Sequence, residues 1–111
     1  MNIYDTANQL AKELKQSNEF IEYKKVKEEL YLNLEIKEKL EEFEKIKYEV
    51  QVLSLKGEEQ NAEKLTKLQE LYAILAQNES VKRYFDLEVR FNVLITDINK
   101  IIGEAVKEVL Q

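Results

Sequence analysis

The chain has 111 residues, a net charge of −5 and a pI near 4.9, with 44% hydrophobic and 35% charged residues. That length sets the expectation of one domain over residues 1–111, and the composition is too apolar for a disordered chain and too charged for a membrane protein. His and Cys are both absent, which removes the commonest general base, the commonest metal ligands, disulfides and the thiolate nucleophile together.

With no Pro and two Gly, little punctuates the chain. A first helix is expected over residues 3 to about 15, because Ile3, Ala7, Leu10, Ala11 and Leu14 fall on one face at a spacing of 3.6. The opening MNIYDTANQL has Asp5 and no basic start. It does not read as an export signal, and the cytoplasm is the expected compartment. Ser17 or Asn18 caps a second helix carrying Phe20, Tyr23, Val26 and Leu30. Within it KKVK (24–27) is the densest basic spot, but Glu22, Glu28 and Glu29 flank it, as on a solvated helix face.

Asn33 caps a third helix with Ile36, Leu40, Phe43, Ile46, Val50 and Leu53 on its apolar side. Gly57 is its stop, since glycine tolerates the left-handed conformation found there. GEEQN (57–61) is the clear turn, and a fourth helix follows with Leu65, Leu68, Leu71, Tyr72 and Leu75. VLSL (52–55) and YAILA (72–76) are the longest apolar runs, far below the roughly 20 residues a bilayer span needs. Asn78 starts the fifth helix. NLEIKEKL (33–40) and NESVKRYF (78–85) share Asn first, a β-branched residue at the fourth place, Lys at the fifth and an apolar eighth. Either a duplication or the common pattern of any capped amphipathic helix produces that echo.

The fifth helix is the unusual element. In a heptad frame Val81, Glu88, Ile95, Ile102 and Val109 occupy a, while Tyr84, Phe91, Ile98 and Ala105 occupy d. Leu87, Leu94 and Ile101 add apolar g positions, so the stripe is broader than a two-stranded seam. Residues 79–109 span roughly 46 Å at 1.5 Å per residue. A compact globule of this length is only about 34 Å across. Part of the stripe is therefore expected to need a second chain, most simply in a two-fold dimer, with Val81, Tyr84, Glu88, Phe91, Ile95, Ile98 and Ile102 as the contact face. A bend near Gly103 is the alternative. Glu88 breaks the stripe; it is either an edge carboxylate reaching water or a cation, or a buried polar group that sets register.

No catalytic constellation is visible. The only glycines, Gly57 and Gly103, cannot make a phosphate loop, and Ser17, Ser54 and Ser80 have no histidine to activate them. The many Glu residues lie beside Lys at helix-surface spacing, as in EIKEKLEEFEKIK. No catalytic, metal-ligating or cofactor-binding residue is expected. A carboxylate-only enzyme would need a metal. The acidic balance disfavours nucleic acid, whose binding domains usually have a pI above about 9.

The start IYDTANQLAKELKQSNEFIEYKKVKEEL and the end NESVKRYFDLEVRFNVLITDINKIIGEAV resemble the YheA-type branch of the YlbF/YmcA family of small helical bacterial proteins. The likeness rests on Tyr4-Asp5 and Ala7-Asn8 before Leu10, on Ser17, Glu19 and Phe20 opening the second helix, on Tyr84, Glu88 and Phe91, and on Asp97-Ile98 with Ile101-Ile102. It covers essentially the whole chain. It implies an elongated all-α bundle of about five helices with a long C-terminal helix and no β-sheet, dimeric, in a bacterial cytoplasm. It also implies a non-enzymatic adaptor: YlbF and YmcA regulate competence, biofilm formation and sporulation with a third protein, YaaT, and are linked to ribonuclease Y. Expected partners are then a second copy and proteins of the YlbF/YmcA or ribonuclease type. The alternative is a factor that touches RNA directly. Leu34 and Glu79 stand where relatives often have proline. The iron–sulfur cluster associated with the regulatory relatives needs cysteines that this chain lacks, so no cofactor is expected.

Overall fold

The computed structural model describes residues 2–57 and 62–110, of which 91% are helical with no strand. Five helices follow in order: α1 (Ile3–Gln16), α2 (Asn18–Tyr31), α3 (Leu34–Leu55), α4 (Ala62–Leu75) and α5 (Glu79–Leu110).

Short-range chemistry sets their ends. The Asn2 side chain accepts from the Tyr4 N–H at 2.8 Å and opens α1. Ser17 has extended backbone, ψ 148°, and serves two helices at once. Its hydroxyl donates to the Leu14 carbonyl at 2.6 Å and accepts from the Phe20 N–H at 3.2 Å. Ser17, not Asn18, is thus the cap of α2. Asn33 accepts from the Ile36 N–H at 3.2 Å. Asn78 accepts from both the Ser80 and Val81 N–H groups, at 2.8 and 3.2 Å. α3 stops at Lys56 and Gly57, where φ is +72°. The remainder of the GEEQN turn, residues 58–61, lies outside the described residues. α5 stays helical through Gly103 over 32 residues, roughly 48 Å.

The chain divides into two compact units. One holds Lys27–Arg83. In it α3 and α4 pair antiparallel: Glu42 meets Lys67 at 3.5 Å, Glu49 meets Lys64 at 3.0 Å, and the Phe43 and Tyr72 rings lie 6.3 Å apart. Its core comprises Leu30, Leu40, Phe43, Val50, Leu71, Leu75 and Val81, all buried. Each such side chain contributes about 2 kcal/mol by leaving water. Tyr72, next to the buried Leu71, is 50% exposed although its ring lies beside Phe43.

The other unit holds Met1–Val26 and Tyr84–Gln111. There α2 and α5 run antiparallel: the Phe20 ring faces Phe91 at 6.1 Å, and Tyr23 faces Tyr84 at 5.4 Å. Val26, Tyr84, Leu87 and Glu88 are buried. α1 belongs to this unit but has no buried residue.

Candidate functional site

Three features carry the polar and apolar groups that could act on something else. The first is Glu88, 8% exposed. Helical spacing places it between Tyr84 and Phe91 on one side of α5. α2 brings Tyr23 against all three: its ring lies 5.4 Å from Tyr84 and 5.6 Å from Phe91, and its hydroxyl donates to Glu88 Oε2 at 3.3 Å. Tilted ring pairs of this kind contribute about 0.5–1.5 kcal/mol each beyond burial. Glu88 is buried, and it accepts this hydrogen bond from within its own chain. The Tyr23 partnership was not visible in the sequence, where Tyr23 was only an apolar-face residue. The signal that could have found it is a tyrosine on one stripe and a lone carboxylate on another, each able to satisfy the other.

The second is a cavity of about 350 Å³ in the unit of residues 27–83, lined by Asn33, Ile36, Lys39, Ile74, Leu75 and Val81 among others. Most of its polar lining serves the helices themselves. Asn33 caps α3, and Lys39 Nζ lies 3.0 Å from Glu35 Oε1. Nothing in it converges on a ligand. Elsewhere the Lys–Glu and Arg–Asp pairs at helical spacing are exposed, as with Arg90 and Asp86 at 3.1 Å. Among the described residues no group of three or more carboxylates could hold a metal ion, and no helix is long and apolar enough to cross a membrane.

The third is the α5 stripe, which changes character along its length. Val81, Tyr84 and Glu88 are buried by the chain's own residues. Phe91, Ile95 and Ile98 are half-buried. Ile102 is 52% exposed, and Ile101, Val106, Val109 and Leu110 are exposed with it. The seven residues expected to form one contact face therefore do not share one environment.

A small all-helical molecule whose distinctive chemistry lies on helix faces is the class these features define. The chain belongs to the YlbF/YmcA family: residues 3–107 match the family described as "Control of competence regulator ComK, YlbF/YmcA". It is similar to a UPF0342 protein of Caldicellulosiruptor bescii, 36% identical over 96% of this chain and 89% of that one. It is also 31% identical to the UPF0342 protein YheA of Bacillus subtilis, over 97% of this chain and 92% of that one. Among solved structures, YheA from Bacillus subtilis superposes with a TM-score of 0.69 at 26% identity, covering 97% and 98% of the two chains. A protein of unknown function from Bacillus stearothermophilus shares the fold, with a TM-score of 0.76 over 96% and 93%. Family membership supports a regulatory role.

Proposed function

We propose that this protein is a non-enzymatic regulatory adaptor of the bacterial cytoplasm that works as a homo-oligomer, most simply a dimer, and through contacts with other proteins. Membership of a family defined by control of a competence regulator, over residues 3–107, carries the reading. The exposed apolar side chains of α5 support a protein ligand, since a contiguous apolar patch on a small chain marks an interaction surface. The partners proposed are relatives of the YlbF/YmcA type and ribonuclease Y.

Affinity purification from the native host, with bound proteins identified by mass, is the test. Recovery of a YlbF-like relative or of the ribonuclease is expected. Recovery of neither, together with micromolar binding of a labelled RNA that weakens steeply with salt, would replace the adaptor with a direct RNA contact. With a net charge of −5, no such binding is expected at physiological ionic strength.

A further inference from the structure

Val89 and Val93 stand one helical turn apart on α5 and are 59% and 54% exposed. Helical spacing turns them away from Tyr84, Glu88 and Phe91, which meet Tyr23 of α2. They line a groove of about 340 Å³ together with Glu19, Arg90, Leu94 and Asp97. All six residues belong to one compact unit. The α5 part of the lining runs from Val89 to Asp97, roughly 12 Å or two helical turns.

The rim of the groove has a sign. The charge of Arg90 is answered within α5, where its guanidinium lies 3.1 Å from Asp86. Glu19, half-buried in the first turn of α2, and the exposed Asp97 are different. Neither carboxylate has a hydrogen-bonding or ion-pair partner among the described residues. An apolar floor between two unanswered carboxylates selects a partner that is apolar on one side and cationic beside it. Two turns of helix fit the length. Apolar side chains at i, i+4 and i+7 rest on Val89, Val93 and Leu94, and flanking Lys or Arg side chains reach Glu19 and Asp97. The net charge of −5 favours the approach of such a cation. Phosphate backbones carry the wrong sign for this rim. A second copy matches it poorly, since the exposed end of its α5 sets Lys100 and Lys107 against Glu104 and Glu108.

We infer that the groove docks an amphipathic helix of another protein whose apolar stripe is flanked by Lys or Arg. The inference rests on the adaptor reading above and names the chemistry of the partner segment.

The test uses the full chain and labelled peptides of about 18 residues, long enough to hold a helix once docked. One carries Leu at i, i+4 and i+7 with Lys on both flanks. A second has Glu in place of each Lys, and a third has Ser in place of each Leu. By fluorescence anisotropy the Lys-flanked peptide is expected to bind about tenfold more tightly than the Glu-flanked one, from two ion pairs gained against two repulsions. The Ser peptide should not bind. Val93→Asp should abolish binding, and Glu19→Lys with Asp97→Lys should reverse the charge preference, each with helical content retained by circular dichroism. Equal binding of both charged peptides overturns the inference, and so does no binding of either. A two-chain mass by light scattering that Val93→Asp reduces to 13.2 kDa also overturns it, because a second copy then fills the groove. Capture from the native host with the parent and the doubly reversed variant separates the two failures. A partner retained equally by both leaves the adaptor and removes the groove as its site. No partner retained by the parent removes the adaptor reading itself.

Discussion

Glu88 keeps its hydrogen bond while surrounded by rings, because Tyr23 presents a flat apolar body to Phe91 and Tyr84 and a hydroxyl to the carboxylate. Amphipathic side chains of this kind let a polar group enter an apolar site without losing its partner. Removing the hydroxyl alone should therefore hurt more than removing the carboxylate. Tyr23→Phe is expected to lower stability by about 1 kcal/mol, as for an ordinary hydrogen bond, because the contact is 3.3 Å long. Glu88→Leu replaces a buried charge by an apolar side chain of similar size, a change that is often neutral or stabilising. Its stability should equal or exceed that of the parent, with the native mass unchanged. Urea unfolding of both single variants and the double variant measures the coupling. Strict additivity would show that the Tyr23–Glu88 bond contributes nothing.

The helices are bounded by caps that act over three or four residues, so their ends can be tested one at a time. Asn78 satisfies two N–H groups at the start of α5, at 2.8 and 3.2 Å. Asn78→Ala should cost about 1 kcal/mol, and Asn78→Ser much less, because serine restores the acceptor. The two glycines should respond with opposite signs to the same substitution. Gly57 lies at φ +72° with nothing near an added Cβ, so Gly57→Ala should destabilise by about 1–2 kcal/mol through backbone strain alone. Gly103 is helical and equally unobstructed, so Gly103→Ala should stabilise α5 by about 0.5–1 kcal/mol. Thermal unfolding compares the pair. Equal effects in the same direction would contradict the conformational account.

Protection is distributed unevenly over the molecule. The α3–α4 pair encloses Leu40, Leu71 and Leu75, all at 5% exposure or less, whereas α1 has no buried residue and residues 101–110 are exposed throughout. Amide exchange follows local opening, and helices with few buried contacts open first. In dilute solution the slowest exchange is expected in α3 and α4, and the fastest in α1 and the end of α5. On the homo-oligomer reading proposed above, raising the concentration should slow exchange at the exposed end of α5. Mass spectrometry of exchanged peptides reads this directly. Exchange unchanged at every concentration would argue against the oligomer. A Leu40→Ala variant should lose about 2–5 kcal/mol, since Leu40 is completely enclosed and its truncation leaves a cavity.

What the sequence by itself determined is what depends on neighbours along the chain. Ser17, Asn33, Asn78 and Gly57 mark helix ends because capping and left-handed φ are settled within a few residues. The α, not β, character follows from a 3.6-residue period that no Pro interrupts. Family membership was legible for the related reason that order and spacing of Tyr84, Glu88 and Phe91, with the opening run from Tyr4, survive in one dimension. What only the tertiary structure decided is which part of each apolar stripe is used. Ile3 and Leu40 look alike as periodic positions, yet one is 77% exposed and the other 0%. Tyr23 and Glu88 are 65 residues apart, and no local rule pairs them. Burial depends on which surfaces meet in space, and a helix carries the same stripe whether or not anything lies against it.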